Sequence, residues 1–288
     1  MSIRNPVEWG VDQFRQTIVG IGTVNRGIVP VEDAAPVALP GIRKIGIADL
    51  KDVLARGYDD FGANRTDVIF LCVLYPVVGV LLIFLTAGHE LLPLLFPLAS
   101  GFALLGPFAG VGLNEISRRR ELGIGAGWTD AFRVLQSPSI GAIFLLGFTL
   151  TLIFLLWQLT AFAIYELTLG PQLPASASAF AYEVFRTGRG WVMIVFGTGI
   201  GFAFAVVVLV VSSVAFPLLL DREVGVQVAV TTSVRVALAN PVPIFAWGAI
   251  IAGGLVVGSI PCFIGLAVVL PVLGHSTWHL YRKVVAVP

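Results

Sequence analysis

Six stretches of this 288-residue sequence are long and apolar enough to cross a lipid bilayer. A crossing helix needs about 20 apolar residues, and continuously apolar runs favour helices over a β-barrel, whose strands alternate. With 57% hydrophobic and 12% charged residues, a soluble globule would lack polar surface. We predict an all-α, polytopic membrane protein whose six transmembrane helices form three hairpins, with spans at residues 68–87, 91–116, 140–165, 191–219, 243–260 and 262–284.

The positive charges predict how these helices are oriented. Of the 18 Lys and Arg residues, only Arg186 and Arg189 fall on one side of the membrane, in the loop at residues 170–190. Lys and Arg are enriched in cytoplasmic loops. We therefore expect both termini in the cytoplasm and the 170–190 loop outside.

A cytoplasmic amphipathic helix is predicted before each hairpin. The first covers residues 47–61, and its apolar stripe consists of Ile47, Leu50, Leu54, Tyr58 and Phe61. Charged residues, Asp60 among them, are assigned to its opposite face. Shorter helices are expected at residues 129–135, where Thr129 is the candidate cap, and at residues 224–238.

Two regions follow from this pattern: a cytoplasmic N-terminal arm at residues 1–45 and a transmembrane domain at residues 46–288. The arm begins with a short amphipathic helix, because Asn5 suits the capping position and Pro6 the first helical position. Residues 20–46 are rich in Gly, Pro and Val without periodicity, which is typical of an extended tether. Such an arm either docks on a partner or on the membrane surface, or packs on its own domain.

Four short stretches carry a resemblance to a known family. They are residues 65–67 (RTD), 96–107 (FPLASGFALLGP), 114–121 (NEISRRRE) and 270–282 (LPVLGHSTWHLYR). They resemble a bacterial family of predicted integral membrane proteins, the domain of unknown function 2189, over residues 45–285. The resemblance implies a multi-pass protein of the bacterial inner (plasma) membrane and supplies no catalytic residue. Some relatives are labelled as cytochrome c oxidase components.

Six polar residues at the cytoplasmic ends of spans two and six are the candidate functional or structural groups: Asn114, Glu115, Arg118, Arg119, His275 and His279. Glu115 lies three and four residues before Arg118 and Arg119, a spacing at which side chains on a helix meet. We expect Glu115 to pair with one of these two arginines.

His275 and His279 form a candidate metal-binding pair, because four residues separate them and they share a helix face. Zinc would need at least a third ligand, and haem needs ligands on opposite sides. The sequence has three histidines in all, too few for an oxidase core. We therefore expect no metal and no cofactor, and expect both histidines to bond to backbone, Glu115 or lipid head groups.

Pairs of glycines four residues apart predict close helix packing: Gly106 with Gly110, Gly197 with Gly201, and Gly254 with Gly258. In the alternative interpretation, prolines in spans two and six break these helices around an apolar cavity. Such a cavity would suit a lipid, a quinone or another hydrophobic molecule.

The predicted spans contain almost no ionisable residue, and no motif for catalysis is present. We therefore expect a non-enzymatic protein without catalytic residues: an accessory, scaffold or assembly partner of a membrane complex, for which a respiratory complex is one option. The alternative is a transporter or a lipid- or quinone-binding protein with a cavity between the hairpins. The expected partners are membrane lipids and another membrane protein complex, contacted through the arm and the amphipathic helices, and not nucleic acid.

Overall fold

The computed structural model describes residues 39–63, 92–172, 174–261 and 263–286. The predicted first span at residues 68–87 and the short helix at the start of the arm lie outside these ranges. The described helices are α1 (Ile47–Ala63), α2 (Leu95–Leu104), α3 (Gly106–Ala109), α4 (Val111–Glu121), α5 (Ile140–Thr168), α6 (Ala177–Arg186), α7 (Gly188–Ser212), α8 (Ala215–Asp221), α9 (Val226–Ala239), α10 (Pro241–Ser259) and α11 (Leu266–Val284), with 3₁₀ turns at Leu92–Leu94 and Trp128–Gln136.

Among the described residues, three segments are long and apolar enough to cross a membrane: α5, α7 continued by α8, and α10. They correspond to the predicted spans at residues 140–165, 191–219 and 243–260. Large apolar side chains cover the outside of these helices, such as Phe148 and Leu159 on α5 and Phe196 on α7. Lipid is a good solvent for such a surface, whereas water is not. The six-span arrangement in three hairpins stays a prediction.

The segment predicted as the second span is helical but interrupted. Its helices α2, α3 and α4 are separated at Leu105 and at Gly110. Pro107 lies in the first turn of α3, where the missing N–H of a proline is tolerated. In the sixth predicted span the helix begins only at Leu266, and it continues through Pro271.

Trp157 of α5 occupies the centre of the packing between α2, α5 and α7. Its indole N–H donates to the carbonyl of Pro97 over 3.1 Å, and its ring lies 5.6 Å from that of Phe204. A Cβ on Gly201 would approach this indole to 2.9 Å, and one on Gly101 would approach it to 3.1 Å. Glycine at these two positions therefore makes room for the largest side chain of the core.

The six glycines expected at helix contacts divide into two groups. Added Cβ atoms would meet neighbours closely at four of them: Gly110, Gly201, Gly254 and Gly258. At Gly106 and Gly197 an added Cβ would meet nothing within 4 Å. In each of the first two pairs, only one glycine therefore lies against neighbouring atoms, whereas in the third pair both do.

Two local elements differ from the sequence-based expectation. The 170–190 loop contains a helix, α6, which Ser176 caps by accepting the backbone N–H of Ala179 over 3.1 Å. Before the third span, the segment predicted from Thr129 is a 3₁₀ helix that begins one residue earlier. Asp130 secures this start, because its carboxylate accepts the backbone N–H of Gly127 over 3.0 Å.

Residues 39–46 are extended and lie against the C-terminal end of α11. Arg43 donates its backbone N–H to the carbonyl of Val284 over 2.8 Å. The side chain of Asn240 accepts the backbone N–H of Ile45 over 2.8 Å and donates to the carbonyl of Arg43 over 3.2 Å. We call residues 39–46 the clasp, because they fasten the base of the predicted arm to the helical bundle.

Candidate functional site

Charged and polar side chains from several described elements meet at one end of the bundle. There α1, the 3₁₀ helix at Trp128–Gln136 and the last turns of α4, α8 and α11 meet. We call this the charged end. All six predicted polar residues lie on α4 and α11, which contact each other here.

Close contact between α1 and α11 depends on Gly57. A Cβ at this position would lie 1.9 Å from the hydroxyl oxygen of Ser276 and 2.8 Å from the carbonyl of Val272. Any larger residue would push the two helices apart. The glycine thereby brings Asp60, one turn further along α1, against the polar face of α11.

Asp60 is the common acceptor of three side chains from two other helices. Its Oδ2 accepts from Ser117 over 2.6 Å and from Nε2 of His279 over 2.8 Å, and its Oδ1 accepts from Arg120 over 2.5 Å. Asp60 is 5% exposed. A buried carboxylate is tolerated when charged and polar donors satisfy its oxygens, as they do here.

The acidity of Asp60 reflects these donors. Burial raises the pKa of its carboxyl, but the hydrogen bonds from His279 and Ser117, together with the charges of the two histidines, outweigh burial and hold the pKa below its usual value. The ionised form of Asp60 is thus the form that the folded protein favours.

His275 belongs to the same hydrogen-bond network and is fully buried. Its Nδ1 lies 2.8 Å from the hydroxyl of Ser117, and both residues are buried. The single hydroxyl hydrogen of Ser117 is directed to Asp60, so Nδ1 of His275 carries the hydrogen in its bond to Ser117. A nucleophilic serine needs the opposite polarity, with histidine as the acceptor. The Ser117, His275 and Asp60 group therefore fixes helices and is not arranged as a nucleophile.

The two histidines do share a helix face and do meet in one network. The side-chain partner of His275 is Ser117 and that of His279 is Asp60, instead of Glu115. His275 also has a hydrogen bond with the backbone of Leu113, as expected from the sequence. Among the described residues, no group of three or more His, Cys, Asp or Glu side chains is placed to hold a metal ion.

A second group of contacts surrounds the last turns of α11. Glu121 accepts from the indole of Trp278 over 2.8 Å and from Arg282 over 2.9 Å. Asp221, at the end of α8, accepts from the hydroxyl of Tyr281 over 2.5 Å. One turn of α11 thus binds the ends of both α4 and α8.

Two solvent-exposed ion pairs also connect α1 to α11. Lys283 lies 2.8 Å from Asp49 and 2.9 Å from Asp52. The hydrogen bond from Lys283 is the main cause that lowers the pKa of Asp49 and of Asp52 below the usual value. Because water screens both carboxylates, these pairs contribute little to stability.

Glu115 pairs with Arg118, as the spacing predicted. The guanidinium of Arg118 donates to both carboxylate oxygens, over 2.7 Å and 3.0 Å. Arg119 turns instead towards the 3₁₀ helix, where it lies 3.5 Å from Asp130. Asn114 is buried beside them, and its side-chain oxygen has no hydrogen-bond partner among the described residues.

A pocket of about 340 Å³ opens next to these arginines. Its lining comes from α4, from residues 136–139 between the 3₁₀ helix and α5, and from the end of α8. A second pocket of about 270 Å³ lies beside Ala63 and Arg120. Both openings therefore lie at the charged end.

Comparison with known proteins addresses the central part of the chain. Residues 95–221 match the model of a family described as predicted integral membrane protein (DUF2189). The resemblance expected over residues 45–285 is thus found over residues 95–221. Neither the curated proteins nor the solved structures contain a significant match. The family match and the apolar helices α5, α7 and α10 make the chain an integral membrane protein with candidate transmembrane helices.

Asp60 is the residue that sequence reasoning misplaced. Of the five residues of the predicted apolar stripe, Leu50 and Phe61 are buried but Ile47 and Tyr58 are exposed, and Asp60 of the predicted charged face is buried. The buried face of α1 instead carries Leu50, Val53, Gly57, Asp60 and Phe61. Spacings of three and four connect these positions, so the signal was present. It was hidden because an aspartate and a glycine occupy core positions.

Proposed function

We propose that this protein is a non-enzymatic accessory or scaffold protein of a membrane complex, with several membrane passes. Its charged end would face the cytoplasm of a bacterial cell, and the arm and α1 would contact the partner. The orientation follows from the Lys and Arg distribution and the positive-inside rule. The bacterial inner membrane follows from the family resemblance.

One observation supports this proposal: three polar side chains at the charged end are buried in contacts that join helices. Asp60 and His275 are each linked to Ser117 by a hydrogen bond, and the three residues connect α1, α4 and α11. Because only 5% of Asp60 and less of the other two is exposed, a substrate has little access to them. This part of the charged end therefore has a structural role in the proposal.

The exposed face of α1 offers a surface for a protein partner. Ile47 is 55% exposed and Tyr58 is 62% exposed, while the opposite face of the helix is fixed on α11. Exposed aromatic and aliphatic side chains on a rigid element are common anchors of protein interfaces. The clasp, residues 39–46, directly precedes α1 in the chain and is itself fixed to the bundle.

A truncation that ends just before the clasp tests the proposal. We would purify the tagged full-length chain and a variant lacking residues 1–38 from the source membrane in mild detergent. Because the truncation keeps residues 39–46, the hydrogen bonds to Asn240 and Val284 remain. We expect a partner in stoichiometric amount with the full-length chain and its loss from the truncated chain.

Point variants provide the matched control. Tyr58→Asp on α1 should weaken the association, whereas Tyr182→Asp, which changes an equally exposed tyrosine on α6, should not. Size-exclusion chromatography of each variant checks that it is folded. A full-length chain that purifies alone even after chemical cross-linking would refute the scaffold function, as would a partner that both α1 and arm variants retain.

A further inference from the structure

The pocket of about 340 Å³ at the charged end has the composition of an anion site. Four arginines line it: Arg118, Arg119, Arg133 and Arg222. Ser137 and Ser139 add hydroxyl groups at the point where α5 begins. Guanidinium and hydroxyl groups beside a long helix's N-terminus are a combination that binds phosphate.

The acidic residues of the lining do not neutralise all of the positive charge of these four arginines. Glu115 is engaged by Arg118 through two hydrogen bonds. Asp221 accepts from Tyr281 and lies 3.7 Å from Arg222. The third acidic residue of the lining, Glu223, is exposed to solvent, and water screens its charge.

Arg119 is the least satisfied of the four arginines. Its side chain is 16% exposed, yet its contacts to the carbonyl of Gly125 and to Asp130 are long, at 3.4 Å and 3.5 Å. Its Nε is buried without a hydrogen-bond partner among the described residues. Asp130 is also the partner of Arg133, at 2.6 Å. Two arginines thus share one carboxylate, and one guanidinium lacks good acceptors.

The pocket lies at the level where an apolar helix begins. Residues 137–139 line it, and α5 starts at Ile140 and exposes Phe144 and Phe148 in its next turns. The 3₁₀ helix, which contributes Arg133 to the lining, also exposes Leu135. Exposed apolar groups next to clustered arginines are typical of the boundary between hydrocarbon and lipid head groups.

We propose that this pocket binds the phosphate group of a membrane phospholipid. Arg119 and Arg133 would donate to the phosphate oxygens, with Ser137 or Ser139 as additional donors, and the acyl chains would lie along the apolar surface of α5. Soluble phosphate presents the same group without the chains. The experiment must therefore separate these two sources.

The test uses the full-length chain in a detergent that contains no phosphate. Three probes are titrated and followed by native mass spectrometry: dioctanoyl phosphatidylglycerol, dioctanoylglycerol, which lacks the phosphate, and sodium phosphate. We expect saturable binding of the phospholipid and none of dioctanoylglycerol. Binding of free phosphate without binding of the phospholipid would overturn the assignment to a lipid, and absence of binding of both would overturn the site.

Charge-matched variants show whether the pocket is responsible. Arg133→Gln should weaken phospholipid binding about tenfold, which is the loss expected from one charge-assisted hydrogen bond. Arg133 is 54% exposed, so this change preserves the fold. Adding Arg119→Gln should weaken binding further. The control Arg56→Gln removes one positive charge from the same end, on a residue that does not line the pocket. Equal effects of Arg133→Gln and Arg56→Gln would refute the proposal.

Discussion

Replacement of Asp60 by Asn measures how strongly the network holds α1 on the bundle. The substitution keeps the size of the side chain and removes its negative charge. That charge strengthens the hydrogen bonds that the carboxylate accepts from Ser117, Arg120 and His279. A hydrogen bond to a charged group contributes about 1.5–3 kcal/mol and a neutral one about 0.5–1.5 kcal/mol, a difference of about 1 kcal/mol for each bond. Because Arg120 is partly exposed, its hydrogen bond contributes less than the other two. We therefore expect the free energy of unfolding to fall by about 2–3 kcal/mol.

The assay is unfolding of the purified chain in mixed micelles, with tryptophan fluorescence as the signal. Trp278 reports on the region directly, because its indole donates to Glu121 at the charged end. The matched control is Asp59→Asn, one residue away and exposed, which should change the free energy of unfolding by less than about 0.5 kcal/mol. A loss for Asp60→Asn no larger than that of the control would refute the importance of the network.

The same pair of variants predicts a pH dependence. The pKa of Asp60 is lower in the folded protein than in the unfolded chain, so its contribution is fully present above the unfolded pKa of about 4 and is lost as the pH falls through the folded pKa. The difference in unfolding free energy between wild type and Asp60→Asn should therefore shrink as the pH falls below about 4. A difference that is undiminished after the pH has fallen well below that value would contradict this assignment.

Three further outcomes are expected. Gly57→Ala should cost at least about 2 kcal/mol in the same unfolding assay, because its Cβ would overlap Ser276, whereas Gly62→Ala, with nothing within 4 Å, should be neutral or stabilising. Lys283→Met should cost less than about 1 kcal/mol, and the loss should disappear at high salt, since both carboxylate partners are exposed. In cells carrying variants without native cysteines, an impermeant maleimide should label Tyr182→Cys from outside and Tyr58→Cys only after lysis; the reverse pattern would invert the proposed orientation.

The apolar helices could be predicted from the sequence because lipid imposes a simple rule of length and hydrophobicity. Helix α5 starts at Ile140 as expected and ends three residues later than expected, at Thr168. The break between α7 and α8, near Ser213, was not foreseen. There Ser233 of α9 donates to the carbonyl of Val210, a contact that only the folded chain brings about.

The candidate site was predictable only in its local pairs. Glu115 and Arg118 lie within one turn of one helix, so their spacing in sequence is their spacing in space. Asp60 and His279 lie 219 positions apart in the sequence, and no local pattern indicates such a contact. The sequence pattern of α1 also predicted the buried face incorrectly. It favoured a stripe of large apolar residues, whereas the buried face includes Gly57 and Asp60.

The contacts of α1 with α11 determine when α1 can be packed. Helix α1 is made long before α11, because Lys283 follows its partner Asp49 by 234 positions. Until α11 is made, Asp60 has no contact with His279, and the face of α1 that packs on α11 is uncovered. A chain that stops before α11 should therefore keep this helix open to chaperones and proteases, whereas α11 covers it in a chain that contains both helices.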